Sequence, residues 1–533
     1  MMKQRISILL IAALLLTGLT ACSGKGDLIF YAAVDAPAKG FDPQTVSDET
    51  GRMIVRGCYE GLVTVAADGS VAPGVASSWT VSPDGLTYFF TLRPDAAWHL
   101  TSNAQEQLAS RLPANFPLTV TAYDFEFALR RAVDPAMGSP DAFRFMNVVN
   151  AEAIHQSKAA PETLGIYAID AHTLQINLTR PQSNFLTVLA EPAAMPCSEV
   201  FFNACIGRYG TYIKFILSNG PYYLSRFDEN SYRLNRNPDY HGEHPGNADY
   251  LWYYYVADRN NLLKDLADSE YSCAALTAEE YGRLHVKSGF TVKENRNLLR
   301  SLVFNLSDPV LSNADLRKAL ASATDTAAVA ANAGQTLNAG YAPESAASGL
   351  VGSHPNLYNE EKVYDYLQKA LEALDSTSVE LTLLCEEQHA DAMRKLLQEW
   401  QKLLGVAVSV NISTVTAQEL LDAVSSGGYQ IAFYPVEAKT FSTYDYFGAF
   451  TSYSGDNFAH YASATANLLV NNLYSDDDVK FAACYRSLES LLASDVFMLP
   501  VWDESTYFVC TKDVSGVDYR GGDWLYFGEA TKS

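Results

Sequence analysis

Regular spacing of apolar residues predicts two strands and a helix in the first half of the chain. Residues 86–92 (LTYFFTL) and 173–178 (TLQINL) alternate apolar and polar side chains, as strands with one buried face do. Between them, residues 121–135 repeat apolar positions every three to four residues, which is the period of a helix. Thr121 stands at its start with Asp124 three residues later, a pair that caps helix N-termini, and a proline closes the segment.

Residues 379–436 show a different pattern, in which strand and helix periods alternate. The stretches VELTLLC, VAVSV and YQIAFYP predict strands. The stretches between them, DAMRKLLQEWQKLL and TAQELLDAV, have a helical apolar stripe and are followed by glycines, Gly405 and Gly427. This order predicts a parallel sheet covered by helices. Because ligands of such sheets lie beyond the carboxyl ends of the strands, we expect a binding site in the segment after YQIAFYP.

The first 22 residues have the layout of a secretory leader. Two basic residues precede an apolar run at 6–16, and small residues follow. Residues 19–22 (LTAC) resemble a bacterial lipobox, a pattern in which the cysteine becomes the first mature residue and carries a diacylglyceryl group. We therefore expect residues 1–21 to be removed, Cys22 to be lipidated and residues 22–30 to form a flexible tether. The alternative is an ordinary signal peptide with an incidental cysteine.

Composition and charge narrow the classes of function. The chain has 533 residues, more than one ordinary core accommodates, so we expect two or three lobes. The leader contains two of the 38 basic residues and none of the 61 acidic ones, so the mature chain has a formal net charge of −25. This excess argues against nucleic acid as a partner and against electrostatic binding to anionic lipid. We expect a monomer whose sole membrane contact is the lipid on Cys22.

Motifs typical of catalysis and of cofactor binding are missing from the sequence. It contains no G-x-S-x-G, S-x-x-K, H-E-x-x-H or G-x-x-x-x-G-K-[ST]. Seven cysteines besides Cys22 are scattered without a C-x-x-C, which argues against a zinc ribbon. Cys197 and Cys205 either pair with each other or are buried thiols. We predict a binding protein without metal or cofactor; a secreted enzyme with an unfamiliar site and a surface sensor are the alternatives.

Five blocks, in order along the chain, resemble the solute-binding proteins of oligopeptide, dipeptide and nickel ABC importers (extracellular solute-binding family 5). The first block contains YEGL, PGVASSW, DGLTYFF and LRP in succession, and later blocks contain SNGPYYL, NRNPDY and LVFNLSDP. Each block is short, but the ordered set is specific. The blocks lie at 41–98, 117–135, 218–242, 302–325 and 499–517, so the resemblance covers nearly the whole mature chain.

The resemblance implies an α/β fold of the periplasmic-binding-protein type II class, in its three-lobed form (cluster C), with mixed sheets and a hinged cleft. The ligand lies between lobes I and III, and hinge closure buries it. The closed, loaded shape is then recognised by the transmembrane subunits of an ABC permease. Lobe I is expected at 27–70, 181–268 and 491–533, lobe II at 71–180, and lobe III at 269–490.

The same resemblance implies a site for peptides or peptide-like solutes, which are held strand-like by main-chain hydrogen bonds. Many members bind the peptide's α-ammonium with an aspartate in the segment after YQIAFYP. That position here is Lys439, which would repel an ammonium. Either the register differs and Asp445 supplies the charge, or the ligand is anionic or N-blocked; a nickel chelate, haem or an oligosaccharide is a further alternative. The expected ligand-binding residues are Ser47, Asp48, Glu49, Tyr434, Lys439, Thr440, Tyr444, Asp445 and Trp502.

Overall fold

The computed structural model describes most of the chain from residue 27 onward. The predicted leader, Cys22 and Thr440 lie outside the described residues, so the roles predicted for them stay predictions. Among the residues it describes, no helix combines the length and the hydropathy needed to cross a bilayer. The described ranges are 27–66, 70–182, 184–285, 287–338, 340–347, 356–439, 442–454, 456–473, 478–521 and 524–533.

The described residues form twenty strands and sixteen α-helices. The strands are β1 (Ile29–Val34), β2 (Val63–Val65), β3 (Val71–Pro73), β4 (Ala76–Val81), β5 (Thr87–Leu92), β6 (Ile166–Asp170), β7 (Thr173–Asn177), β8 (Tyr222–Phe227), β9 (Ser231–Arg236), β10 (Tyr250–Tyr255), β11 (Cys273–Thr277), β12 (Phe290–Phe304), β13 (Val379–Glu386), β14 (Val408–Val415), β15 (Ile431–Glu437), β16 (Met498–Thr511), β17 (Val514–Ser515), β18 (Asp518–Gly521), β19 (Trp524–Tyr526) and β20 (Thr531–Lys532). The helices are Glu49–Cys58, Ser102–Gln107, Ala122–Val133, Ala151–His155, Phe185–Val188, Glu199–Ala204, Arg259–Ala267, Ala278–Arg283, Ala314–Ser322, Thr326–Asn332, Glu360–Ala373, Ala390–Leu404, Ala417–Ser426, Thr443–Gly448, Ala464–Val470 and Asp478–Asp495.

Ten strands form one mixed sheet at the centre of the molecule, in the order β14–β13–β15–β12–β16–β11–β1–β10–β9–β8. β13 lies between β14 and β15 and is parallel to both, as the alternation of strand and helix periods predicts. β1 is parallel to its neighbours β10 and β11, and the other neighbouring pairs are antiparallel. The predicted mixed α/β fold is therefore confirmed.

Apolar residues that alternate along β12 fill a separate core on each face of the sheet. Leu302 and Phe304 lie in one core, and Leu299 and Val303 lie in the other. Because each core is closed by helices, this half of the molecule has three layers, helix on sheet on helix. Helices Ala314–Ser322, Glu360–Ala373 and Ala390–Leu404 cover the first core, and Ala417–Ser426, Thr443–Gly448 and Asp478–Asp495 cover the second.

Two long strands connect the two halves of the central sheet. β12 pairs with β16, and the register of the pair shifts between Asn295 and Leu298. Before the shift, the pair lies beside β11 and β1; after it, the pair lies beside β15 and β13. We call β1 and β8–β11 the β1 body, β13–β15 the β13 body, and residues 295–298 the crossing. Strand pairing thus places the crossing between the two bodies, and the predicted lobe bounds stay predictions.

A smaller antiparallel sheet, in the order β4–β5–β7–β6, lies outside the central sheet. Tyr88 and Phe90 of β5 and Leu174 of β7 are buried on one of its faces, as their alternation predicts. The helix Ala122–Val133 packs against this sheet through a buried apolar stripe that includes Phe125. The two strands and the helix that apolar spacing predicts are therefore confirmed.

The cysteines of the described residues are free thiols. Cys197 and Cys205 are both buried and are not bonded to each other. Burial raises the pKa of each thiol to about 12. The pair therefore fits the second interpretation, two buried thiols.

The cap of the helix Ala122–Val133 predicts a pH dependence of stability. The backbone N–H and the hydroxyl of Thr121 donate to Asp124 Oδ2 at 2.7 and 2.9 Å. Burial raises the pKa of Asp124 to about 6, although these hydrogen bonds oppose the shift. The folded protein therefore binds this proton more tightly than the unfolded chain does, and the free energy of unfolding falls as pH rises from about 4 to about 6.

In Asp124→Asn we expect this contribution, up to about 1.4 kcal/mol per pH unit, to vanish. Asparagine keeps an oxygen that accepts from Thr121, so the cap itself is preserved. Urea unfolding of both proteins across this pH interval measures the two slopes. Equal slopes for the parent and the variant contradict the assignment.

Candidate functional site

The crossing lies at the base of a cleft between the β1 body and the β13 body. Asn297, which is fully buried, joins the two bodies there. Its Nδ2 donates to Glu437 Oε1 at 3.1 Å, and its Oδ1 accepts from Thr506 Oγ1 at 2.9 Å. Its carbonyl accepts from the backbone N–H of Ala438 at 2.8 Å. Asn297 therefore ties the end of β15 to β16 at the point where the β12–β16 ladder is interrupted.

Carboxylates from both bodies act electrostatically on the hydroxyl of Tyr519 in β18. Burial raises the pKa of Tyr519 well above its ordinary value, and the carboxylates of Glu49, Glu437 and Asp35 raise it further. Glu437 ends β15 in the β13 body, whereas Asp35 follows β1. Glu49 begins a helix that packs on β8 and β9 of the β1 body. The Asp35 side chain is 52% exposed and lies 2.7 Å from Arg259 Nη1.

Of the predicted loop residues, Glu49 acts electrostatically on Tyr519, whereas Asp48 is engaged by the helix that follows it. Asp48 Oδ1 accepts from the N–H of Gly51 at 2.7 Å, and its Oδ2 accepts from the N–H of Lys39 at 3.0 Å. The carboxylate thus caps the helix. Ser47 is exposed. An aspartate directly before a helix is a usual N-cap, and this is the signal that separates Asp48 from a ligand contact.

Lys439 is paired within its own wall of the cleft. Its Nζ lies 2.7 Å from Asp456 Oδ2, so its charge is compensated. Tyr434 lies beside this pair: burial raises its pKa to about 12, Glu437 adds to the shift, and Lys439 opposes it. The pair is neutral in total. The ligand contact predicted for Lys439, and with it the anionic or N-blocked ligand, stays a prediction.

An ion-pair group centred on Arg300 of β12 lies beneath the same wall. Arg300 binds both oxygens of Glu504, at 3.0 and 2.8 Å, and Glu386 Oε2 at 2.9 Å. Trp502 donates from Nε1 to Glu504 Oε1 at 2.8 Å, and its ring packs edge-on against Phe433 with the centroids 5.1 Å apart. Trp502 is buried in the core of the β13 body. It therefore supports the ion-pair group, and its predicted ligand contact stays a prediction.

A cavity of about 600 Å³ lies at the crossing and contains two polar atoms without partners. Asn295 is 4% exposed, and its Nδ2 has no hydrogen-bond partner; the Oγ of Ser345 is also buried without one. Such orphaned groups are rare in folded proteins, and a ligand is one way to satisfy them. Sequence reasoning missed these residues, although the polar run ENRN inside an apolar strand was a usable signal. The lining residues are Glu294, Asn295, Arg296, Glu344 and Ser345.

Tyr444 and Asp445 form a second contact between the bodies, away from the crossing. Asp445 pairs with Arg144, and the hydroxyl of Tyr444 donates to the carbonyl of Phe143 at 3.4 Å. The ring of Phe143 lies against Gly448, where a Cβ would meet the ring at 2.0 Å. Both residues predicted to bind ligand therefore contact the segment 139–146. We call these interactions the closing contact.

The charges of the closing contact are buried and form a series in which arginines and aspartates alternate. Asp141 Oδ2 lies 2.6 Å from Arg52 Nη1, and Asp141 Oδ1 lies 2.8 Å from Arg144 Nε. Burial by itself would raise the pKa of Asp141, but Arg52 and Arg144 hold it well below its usual range. Arg52 belongs to the helix Glu49–Cys58 of the β1 body. The series therefore runs from the β1 body through the segment 139–146 to Asp445 in the β13 body.

Comparison with known proteins identifies the architecture. Residues 70–458 match the family described as bacterial extracellular solute-binding proteins, family 5 middle. The chain belongs to this family. Within the described ranges, no three His, Cys, Asp or Glu side chains converge as a metal site would require. Family 5 proteins are substrate-binding proteins of transporters rather than enzymes, and the resemblance carried by the five ordered blocks is confirmed.

Relatives of this family 5 protein match it over almost its full length. The oligopeptide-binding protein OppA of Bacillus subtilis (strain 168) is 24% identical over 569 residues, which cover 99% of each chain. The substrate-binding domain of an oligopeptide ABC transporter from Bacillus anthracis str. Ames has a TM-score of 0.76 at 22% identity, over 95% of this chain and 100% of that one. Listeria monocytogenes OppA bound to peptide has a TM-score of 0.77 at 20% identity, over 95% and 99%. The type II periplasmic-binding-protein fold is confirmed.

Proposed function

We propose that this family 5 protein captures peptides or peptide-like solutes in the cleft between its two bodies and delivers them unchanged to an ABC permease. The observation that carries the proposal is the pair of long strands, β12 and β16, which join the bodies and lose their register at the crossing. Such an interruption between two separately packed cores supports hinge motion. The matched proteins named as oligopeptide-binding support a peptide as the solute.

Closure of the cleft connects peptide binding with delivery to the permease. The closing contact brings Arg144 and Phe143 against the helix Thr443–Gly448 of the β13 body. A ligand bound by both walls favours the closed arrangement, because it gains contacts that the open arrangement lacks. The orphaned Nδ2 of Asn295 at the base of the cleft suits a main-chain carbonyl of an extended peptide. The closed shape then distinguishes the loaded from the empty receptor for a permease.

Titration calorimetry and solution scattering test this function. Peptides of two to five residues are titrated into the purified protein, and the radius of gyration is measured with and without the tightest ligand. We expect saturable binding and a smaller radius of gyration when peptide is bound. A peptide recovered in cleaved form would contradict the binding role, and an unchanged radius of gyration would contradict hinge closure.

We also propose that Cys22 carries the lipid that anchors the receptor, since the residues before it have the lipobox pattern. Two acyl chains bind a membrane stably, whereas a leader that is simply cleaved leaves no anchor. Cys22→Ser is expected to move the protein from the membrane fraction to the soluble extracytoplasmic fraction. Cys484→Ser, at a thiol far along the chain, is the matched control and should stay with the membrane. Membrane retention of Cys22→Ser would refute lipidation.

A further inference from the structure

We propose that the cleft selects peptides with net positive charge and disfavours those with net negative charge. The inference rests on the proposed function, because it names the class of peptide that the same site accepts. Two independent features support it. One is an excess of carboxylates over cations around the crossing, and the other is the cavity with its incomplete polar lining.

Three arginines around the crossing each share one positive charge between two carboxylates. Each of these groups therefore has a formal charge of −1. The groups belong to the β1 body, to the β13 body with its neighbouring strands β12 and β16, and to the crossing, so the excess is not confined to one body. They are Arg259 with Asp35 and Glu280, Arg300 with Glu386 and Glu504, and Arg296 with Glu344 and Asp503.

Together the three groups hold three cations and six carboxylates. The neighbouring pair of Lys439 and Asp456 adds one charge of each sign. Charged walls of low dielectric focus their field into the cleft, so a cationic ligand gains and an anionic ligand loses on entry.

The cavity at the crossing is the part of the cleft where we expect the charge of a peptide to affect its binding. Its lining includes two carboxylates, Glu294 and Glu344, and one guanidinium, that of Arg296. The buried amide of Asn295 and the hydroxyl of Ser345 lack partners in the same lining. A main-chain carbonyl of a peptide is an acceptor for these donors, and a Lys or Arg side chain beside it would balance the two carboxylates. A carboxylate ligand would instead add a third negative charge.

Three matched sets of alanine-based peptides test the inference by calorimetry. The sets have two to five residues and differ in carrying one Lys, one Gln or one Glu. We expect the best Lys peptide to bind at least tenfold more tightly than the Glu peptide of the same length. The ratio should shrink between about 0.02 and 0.5 M NaCl, because the Debye length shortens with added salt.

Variants that replace the cavity carboxylates by neutral amides test whether the preference for cationic peptides arises in the cavity. Glu294→Gln with Glu344→Gln is expected to reduce the Lys-to-Glu ratio several-fold, whereas Glu399→Gln, at an exposed carboxylate paired with Lys402, should leave it unchanged. Peptides that bind equally well whatever their charge, or a Glu peptide that binds more tightly, would overturn the inference and leave the peptide-receptor function in place. Binding of none of the three sets would overturn both.

Discussion

Replacing Arg144 by methionine is expected to lower the free energy of unfolding by about 3–5 kcal/mol. The guanidinium is 7% exposed and lies between the carboxylates of Asp141 and Asp445. Methionine keeps most of the aliphatic stem but removes the cation, so two buried carboxylates face each other across an apolar side chain. Arg52 still compensates Asp141 at 2.6 Å.

Urea unfolding at neutral pH measures this effect, and the chain offers a matched control. Arg394 pairs with Asp391 at 2.7 Å and has the same three-residue spacing as Arg144 and Asp141. These two side chains are 54% and 90% exposed. Arg394→Met is therefore expected to lower the free energy of unfolding by about 0–1 kcal/mol. A loss of similar size in the two variants would show that the buried series contributes no more than a surface pair.

Gly448→Val is expected to weaken peptide binding about 5- to 150-fold while the protein stays folded. Gly448 ends the helix Thr443–Gly448, and a Cβ there would lie 2.0 Å from Cε2 of Phe143. The clash exists where the β13 body meets the segment 139–146, so opening of the cleft relieves it. The added volume therefore destabilises the closed state relative to the open one. Apparent affinity falls with the fraction of molecules that can close.

Calorimetry with the tightest peptide and solution scattering of the loaded protein measure this effect. Gly282→Val is the matched control, because Gly282 also lies in a helix and a Cβ there meets nothing within 4 Å. Adding Phe143→Ala to Gly448→Val removes the ring that clashes, so affinity should return toward that of the parent. Undiminished affinity in Gly448→Val would show that the closing contact is not part of the peptide-bound state.

The closing contact also gives Asp445 a partner that its place in the sequence does not indicate. Its place after YQIAFYP is where the family resemblance expects an anionic side chain. The cation that takes up its charge is Arg144, 301 residues earlier in the chain. Lys439 is likewise paired with a residue from another segment, although a nearer one in the chain, since Asp456 compensates its charge. Neither pair follows from the local pattern, because nothing near either residue in the sequence indicates its partner.

The sequence by itself determined five of the strands, three of the helices, the parallel module and the family. Periodicity is a local property, and each apolar stripe requires a covering layer. The alternation at Tyr88 and Phe90 therefore predicted a strand with one buried face, and the stripe of the helix Ala390–Leu404 predicted burial against a sheet. Gly427, at φ 72°, ends a helix in the left-handed conformation that favours glycine, as the sequence predicted. Ordered motifs then indicated how the elements are arranged.

Only the tertiary structure decided what the charged and polar residues of the site do. It assigned Asp48 to a helix cap and Trp502 to a core, and it placed the crossing at 295–298. It also left the amide of Asn295 without a partner. The physical reason is that an ionic or hydrogen-bonding role depends on distances of a few ångströms and on local burial, both of which are set by residues far apart in the chain. A sequence specifies the charged side chains, and the fold determines which of them lie close enough to interact.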